Sequence, residues 1–106
     1  MAVQPEVLAA EIASGSRITI LDVRTREEFV RGHVPGAIHI PFQSVGRNVA
    51  AIPSTPDERL VVYCGHGPRA WLAGAMLRRH GFGRVEYLAG QMTGWARAGL
   101  PLETGE

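Results

Sequence analysis

The sequence predicts an α/β fold in which a parallel sheet carries helices on both faces. Three observations lead there. Four short runs rich in β-branched and aliphatic residues, "RITILDVR", "GAIHIP", "RLVVYC" and "RVEYL", alternate with stretches of helical character. Strands separated by helices need crossover connections, which makes the sheet parallel and covers both its faces. The chain has 106 residues, 45% of them apolar and 20% charged, enough to bury one core without disulfide or metal staples. A single domain over residues 1–106 is therefore expected.

The elements follow in order. "QPEVLAAEIASG" reads as a short helix, with Pro5 at a first helical position, Val7, Leu8 and Ile12 sharing a face, and Gly15 ending it. "RITILDVR" reads as a buried strand. In "TREEFVRG", Thr25 precedes Glu28 by three residues, the spacing of a capping box, and Gly32 is the stop. "GAIHIP" is a short strand. Residues 42 to 59 admit one short helix around Val45 to Ile52, then a Pro/Ser/Thr/Asp loop. "RLVVYC" is the clearest strand and "RAWLAGAMLRRHG" the clearest helix, with arginines in its last turn and Gly81 beyond. "RVEYL" is a strand and "MTGWARAG" a short helix.

Composition narrows the function. A formal net charge of +1 gives no support to a nucleic-acid or membrane-surface partner. No apolar run approaches the roughly 20 residues of a membrane helix, and the first residues lack the pattern of a signal peptide. The sole cysteine can form neither an internal disulfide nor a thiolate metal cluster, which suits a reducing cytoplasm. His33, His39, His66 and His80 do not have metal-ligand spacing, so no metal is assigned.

In parallel α/β sheets the working residues collect beyond the carboxyl ends of strands. Cys64 stands there, after "LVVY" and inside "CGHGPRA". A lone cysteine after a strand is commonly a small buried hydrophobe. The glycine-flanked strand–turn–helix context favours a nucleophile instead. Glycines let the backbone turn sharply and aim N–H groups at one point, and the following helix adds its unpaired N-terminal amides. Both favour an anion at the sulfur, and a thiolate over a thiol. Arg69 brings a permanent positive charge, either over the loop mouth or away from it. His66 either donates to a bound oxyanion or lies in solvent.

Other residues receive structural readings. Asp22 and Arg24 are expected to pair and tie a sheet end to a loop. His33 is expected as a hydrogen-bonded turn residue and His39 as facing a strand neighbour. Trp71, Trp95 and Phe42 are expected in the core.

Three segments resemble one family. "LDVRTREEFVRGHVPGAIHIP", "VVYCGHGPRA" and "HGFGRVEYLAGQMTGWARAGLPL" are similar to the entry motif, cysteine loop and closing segment of rhodanese-like domains, in order and over about residues 18 to 102. The resemblance implies a three-layer fold around a five-stranded, mainly parallel sheet. It implies a sulfurtransferase in which Cys64 takes a sulfane sulfur from thiosulfate or a persulfide and passes it to cyanide or a thiol, with a protein thiol as a further acceptor. Such chemistry requires no cofactor. The substrate would be held by Gly65, His66, Gly67, Arg69 and Ala70. Three positions depart from the family pattern: Gly65 replaces a bulky or basic residue, Pro68 removes one amide, and Gln91 replaces the second glycine of the closing turn. A dual-specificity-type phosphatase is the alternative, but four residues between Cys64 and Arg69 suit one sulfur better than a cradled phosphate. A non-enzymatic sulfur-carrier or regulatory domain is the other; the cysteine argues against it.

Overall fold

The computed structural model describes residues 2–106. Its five strands are β1 (Ala2–Val3), β2 (Thr19–Asp22), β3 (Ile38–His39), β4 (Leu60–Tyr63) and β5 (Val85–Leu88). They form one sheet in the order β1-β5-β4-β2-β3, and every pairing in it is parallel. The helices are α1 (Pro5–Ala13), α2 (Arg26–Arg31), α3 (Pro68–Arg79) and α4 (Gln91–Arg97).

β4 lies at the centre and is buried along its whole length. A strand covered on both faces reads as a continuous apolar run rather than an alternation, which is why "LVVY" is so clear in the sequence. Its alternate side chains go to opposite layers. Leu60, Val62 and Cys64 join the core under α3, with Ala70, Ala73 and Leu77. Val61 and Tyr63 join the core under α1 and α4, with Leu8, Met92 and Trp95.

Local chemistry accounts for the helix ends. Thr25 Oγ1 accepts from the Glu28 N–H at 3.2 Å, and Glu28 Oε1 accepts from the Thr25 N–H at 3.0 Å, completing the capping box of α2. Pro5 opens α1 and Pro68 opens α3, where a missing N–H costs nothing. The Asp22–Arg24 pair is buried and closed: the Arg24 guanidinium donates to both Asp22 carboxylate oxygens and, at 2.7 Å, to the Gly32 carbonyl. Burial opposes the Arg24 charge, but the Asp22 contacts outweigh it and hold the group above its ordinary range. Burial, then the Asp22 charge, pushes the Tyr63 phenol up. His33 donates from Nδ1 to the Phe29 carbonyl at 2.8 Å, and His39 Nε2 lies 2.7 Å from the Arg24 carbonyl.

One strand was not anticipated, and three expectations need correction. β1 is two residues long, too short to show a period, and it pairs with Tyr87 and Leu88 to form the sheet edge. Residues 42–51 form two 3₁₀ segments, Phe42–Ser44 and Gly46–Ala51, rather than one helix; Asn48, at φ −115° and ψ 17°, interrupts the second. Val7 is 52% exposed, because Leu8 alone of the α1 trio is fully buried. Trp71 is 57% exposed rather than in the core. The buried stripe of α3 is Ala70, Ala73, Gly74 and Leu77, a spacing of three and four, and Trp71 falls one residue outside it. Trp95 is buried as expected, with its Nε1–H donating to the Pro101 carbonyl at 2.9 Å. Phe42 packs half-buried against the α3-side core. Among the described residues no helix is long and apolar enough to cross a membrane.

Candidate active site

Cys64 follows the last residue of β4 and is fully buried. The Gly67 N–H donates to its Sγ at 3.0 Å. Gly67 holds φ 136° and ψ −47°, a conformation left to glycine. Its hydrogen side faces the Trp71 ring so closely that a Cβ there would lie 2.8 Å from a ring carbon. α3 begins at the next residue. Its first intrahelical bond runs from the Trp71 N–H to the Gly67 carbonyl at 2.9 Å, so the Arg69 and Ala70 amides have no intrahelical acceptor. The Ala70 side chain is buried in the core, which leaves only its backbone to serve a ligand.

The loop is clamped from the other side by the start of α4. Gln91 Oε1 accepts from the Cys64 N–H at 2.8 Å, the Met92 N–H donates to the Cys64 carbonyl at 2.9 Å, and Thr93 donates to the Gly65 carbonyl from its N–H at 3.3 Å and its hydroxyl at 3.1 Å. Both peptide groups of the cysteine are thereby fixed. Gln91 is held at φ 56°, the one left-handed non-glycine conformation among the described residues, and it is 5% exposed. A glycine at 91 would be the relaxed choice for that backbone; the glutamine keeps a strained conformation and caps the buried Cys64 amide. Gln91→Ala keeps the strain and strands a buried N–H, so unfolding free energy should fall by about 1–3 kcal/mol, read from urea midpoints. Gln91→Gly should lose less, because relief of the left-handed strain offsets part of the lost bond.

Arg69 is not a free cation at the loop mouth. Its Nη1 and Nη2 donate to Glu28 Oε1 and Oε2 at 2.7 and 3.2 Å. The pair lies over Gly65, where a Cβ would come 3.4 Å from Arg69 Nη2 and 3.9 Å from Glu28 Oε2. Pairing with Glu28 holds the Arg69 charge above its ordinary range against the effect of burial, and the Cys64 sulfur adds a smaller attraction. In return, the Arg69 hydrogen bonds lower the Glu28 carboxyl from 4.5 to about 2. A depressed carboxyl stabilises the fold above its unfolded value and loses that contribution as pH falls through its folded one. The stability difference between wild type and Glu28→Gln should thus be on the order of 1 kcal/mol at pH 7, screened because the side chain is one-third exposed, and should vanish between pH 4.5 and 2. Urea midpoints at pH 7, 4 and 2.5 check this.

The structure places Cys64, Gly65 and Gly67 in one loop, with Arg69 and Ala70 in the first turn of the helix that follows it. His66 is also there but exposed, with Nδ1 3.5 Å from the Thr93 hydroxyl. Glu28, Gln91 and Thr93 are additions to the sequence reading. Glu28 was visible only as a helix cap, and nothing in a local pattern tells that it meets the loop; Gln91 was placed in the wall beside the loop by the family resemblance alone, and its bond to the Cys64 N–H is what the structure adds.

Fold and loop together define a parallel α/β protein with a single cysteine seated under an amide-lined turn at the end of its central strand. The rhodanese-like domain model matches residues 4–98, and the chain belongs to that family. A sulfurtransferase of Allochromatium vinosum is 34% identical over 100 residues, covering 94% of this chain and 92% of that one. Thiosulfate sulfurtransferase GlpE of Actinobacillus pleuropneumoniae is 31% identical over 96 residues, covering 91% and 87%. The crystal structure of the Alr3790 protein from Anabaena sp. superimposes with a TM-score of 0.85 at 30% identity, covering 96% of this chain and 81% of that one.

Proposed function

We propose that this protein is a sulfurtransferase that carries sulfane sulfur as a Cys64 persulfide. The observation that supports this best is the Sγ placed under the Gly67 N–H, at the start of a helix whose first amides are unpaired. The Cys64 thiolate attacks the outer sulfur of a donor, and the donor's S–S bond breaks with its electron pair leaving on the departing sulfite or thiolate. The terminal sulfur of the new persulfide then stands one S–S bond, about 2 Å, beyond the buried Sγ. Loop amides stabilise its charge as they would an oxyanion. A thiol or cyanide attacks that outer sulfur and Cys64 returns to thiolate. Four residues between Cys64 and Arg69, one of them Pro68 without an N–H, suit one sulfur rather than three phosphate oxygens. A lone thiol of this kind fits a reducing compartment such as the cytoplasm.

Intact mass after incubation with glutathione persulfide, and separately with thiosulfate, tests the reading. A gain of one sulfur supports it; no gain from either donor, or turnover of an aryl phosphate instead, counts against it.

The Glu28–Arg69 pair bears on donor choice. Thiosulfate is a dianion whose charge lies next to the reacting sulfur, and the nearest guanidinium is already neutralised by a carboxylate. A persulfide, less charged at its reacting end, is the favoured donor. Glu28→Gln keeps the capping-box acceptor and releases the Arg69 charge. It should lower the KM for thiosulfate about fivefold, equivalent to about 1 kcal/mol at a screened site, with little change for glutathione persulfide. Steady-state kinetics with both donors decide it; equal response of the two donors sinks the charge argument.

A further inference from the structure

One face of α3 is apolar, exposed and unexplained by the site. Trp71 is 57% exposed, Leu72 61% and Met76 37%. Leu72 and Met76, with Phe42, Gln43, Ala75 and Arg79, line a groove of about 350 Å³ between α3 and the Phe42–Ser44 turn. Trp71 extends the apolar surface to the cysteine loop, because its ring lies against Gly67, the residue that donates to Sγ. Large exposed apolar side chains in one patch mark contact surfaces.

The charge around this face has one sign. Residues 42–51 and 68–79 contain no Asp or Glu. Arg79 lines the groove, and Arg47 is the next residue after Gly46, where a Cβ would lie 2.8 Å from the Met76 sulfur. Both arginines are exposed, and neither takes part in an ion pair among the described residues. A second copy of the chain would set these arginines against each other, so self-association on this face is opposed. A partner with carboxylates is favoured.

We propose that this face docks a thiol-bearing protein whose contact segment sets carboxylates around one or two apolar side chains, and that docking brings its thiol to the Cys64 loop. The inference rests on the sulfurtransferase reading above. In the transfer step the partner's thiolate attacks the outer sulfur of the Cys64 persulfide. A new S–S bond forms on the partner, the Cys64 S–S bond breaks, and its electron pair returns to Sγ. The sulfane sulfur changes hands with no outside oxidant or reductant.

The test separates docking from chemistry. The docking probe is a thiol-free synthetic peptide with two leucines flanked by glutamates, titrated against the full chain by tryptophan fluorescence; Trp71 is exposed and Trp95 is buried, so Trp71 reports. Saturable change with this peptide, at least fivefold tighter than with a lysine-flanked or a serine-for-leucine version and weakened by salt, is expected. Arg79→Glu and Leu72→Ser should each remove that preference. A cysteine-containing version should then take sulfur from the loaded protein faster than glutathione does. In both variants transfer to glutathione should continue at the wild-type rate. Equal binding of all three peptides, no binding, or binding only to vesicles containing phosphatidylserine overturns the docking proposal, whatever the sulfur chemistry shows. Failure of sulfur loading overturns the reading beneath it and is seen separately, by mass.

Discussion

Cys64→Ser should gain no sulfur from either donor, and turnover should fall on the order of a thousandfold or more, the scale seen when a nucleophile is removed from an enzyme that uses one. The hydroxyl is nearly isosteric with the thiol but is a far weaker nucleophile near neutral pH. The serine Oγ can still accept from the Gly67 N–H, which now donates to Sγ at 3.0 Å, so the loop should keep its shape. Because the site is fully buried, a hydroxyl proton left without an acceptor sets the stability cost, about 1–3 kcal/mol. The measurement pairs intact mass after donor treatment with a thermal melt. A serine variant that folds and still forms thiocyanate at the wild-type rate would refute the persulfide mechanism. One that simply fails to fold would be replaced by Cys64→Ala, which removes the nucleophile without burying a hydroxyl.

Gly67→Ala should be the most damaging change that removes no reacting atom. The backbone at φ 136° and ψ −47° is outside the range of residues with a Cβ, which alone costs on the order of 1–3 kcal/mol. The added methyl would also lie 2.8 Å from the Trp71 ring. The loop can relieve both only by rotating the Gly67 peptide, and that swings its N–H off the sulfur. Sulfur transfer should fall about a hundredfold, the penalty of misplacing a catalytic contact by roughly an ångström. The Gly67→Ala, Trp71→Ala double variant separates the two causes. Removing the ring abolishes the clash but leaves the dihedral strain, so activity should stay low while stability partly recovers. Full recovery of activity in the double variant would show that the ring contact, not the glycine backbone, shapes the loop.

The central elements and the cysteine loop were readable from the chain because their causes are local. "LVVY" is apolar throughout since β4 is covered on both faces, and Thr25 and Glu28 carry the capping box in their spacing. The Asp22–Arg24 pair was readable for the same reason, its partners being two residues apart. Trp71 misled because size and aromaticity suggest burial. What decides burial is angle around α3, and the stripe from Ala70 to Leu77 leaves Trp71 outside.

By itself the sequence determined the α/β class, the position of Cys64 after a buried strand, and the glycine that the turn beside it needs. Each is a matter of steric preference or periodicity acting over a few residues. Only the tertiary structure decided the state of the loop mouth. Glu28, 41 positions from Arg69, neutralises that guanidinium, and Gln91, 27 positions from Cys64, takes the cysteine's N–H. Parallel strands put the ends of β2, β4 and β5 at one edge of the sheet, so the segments after them meet there however far apart they lie along the chain. Hydrogen bonds made across such separations leave no period or spacing behind.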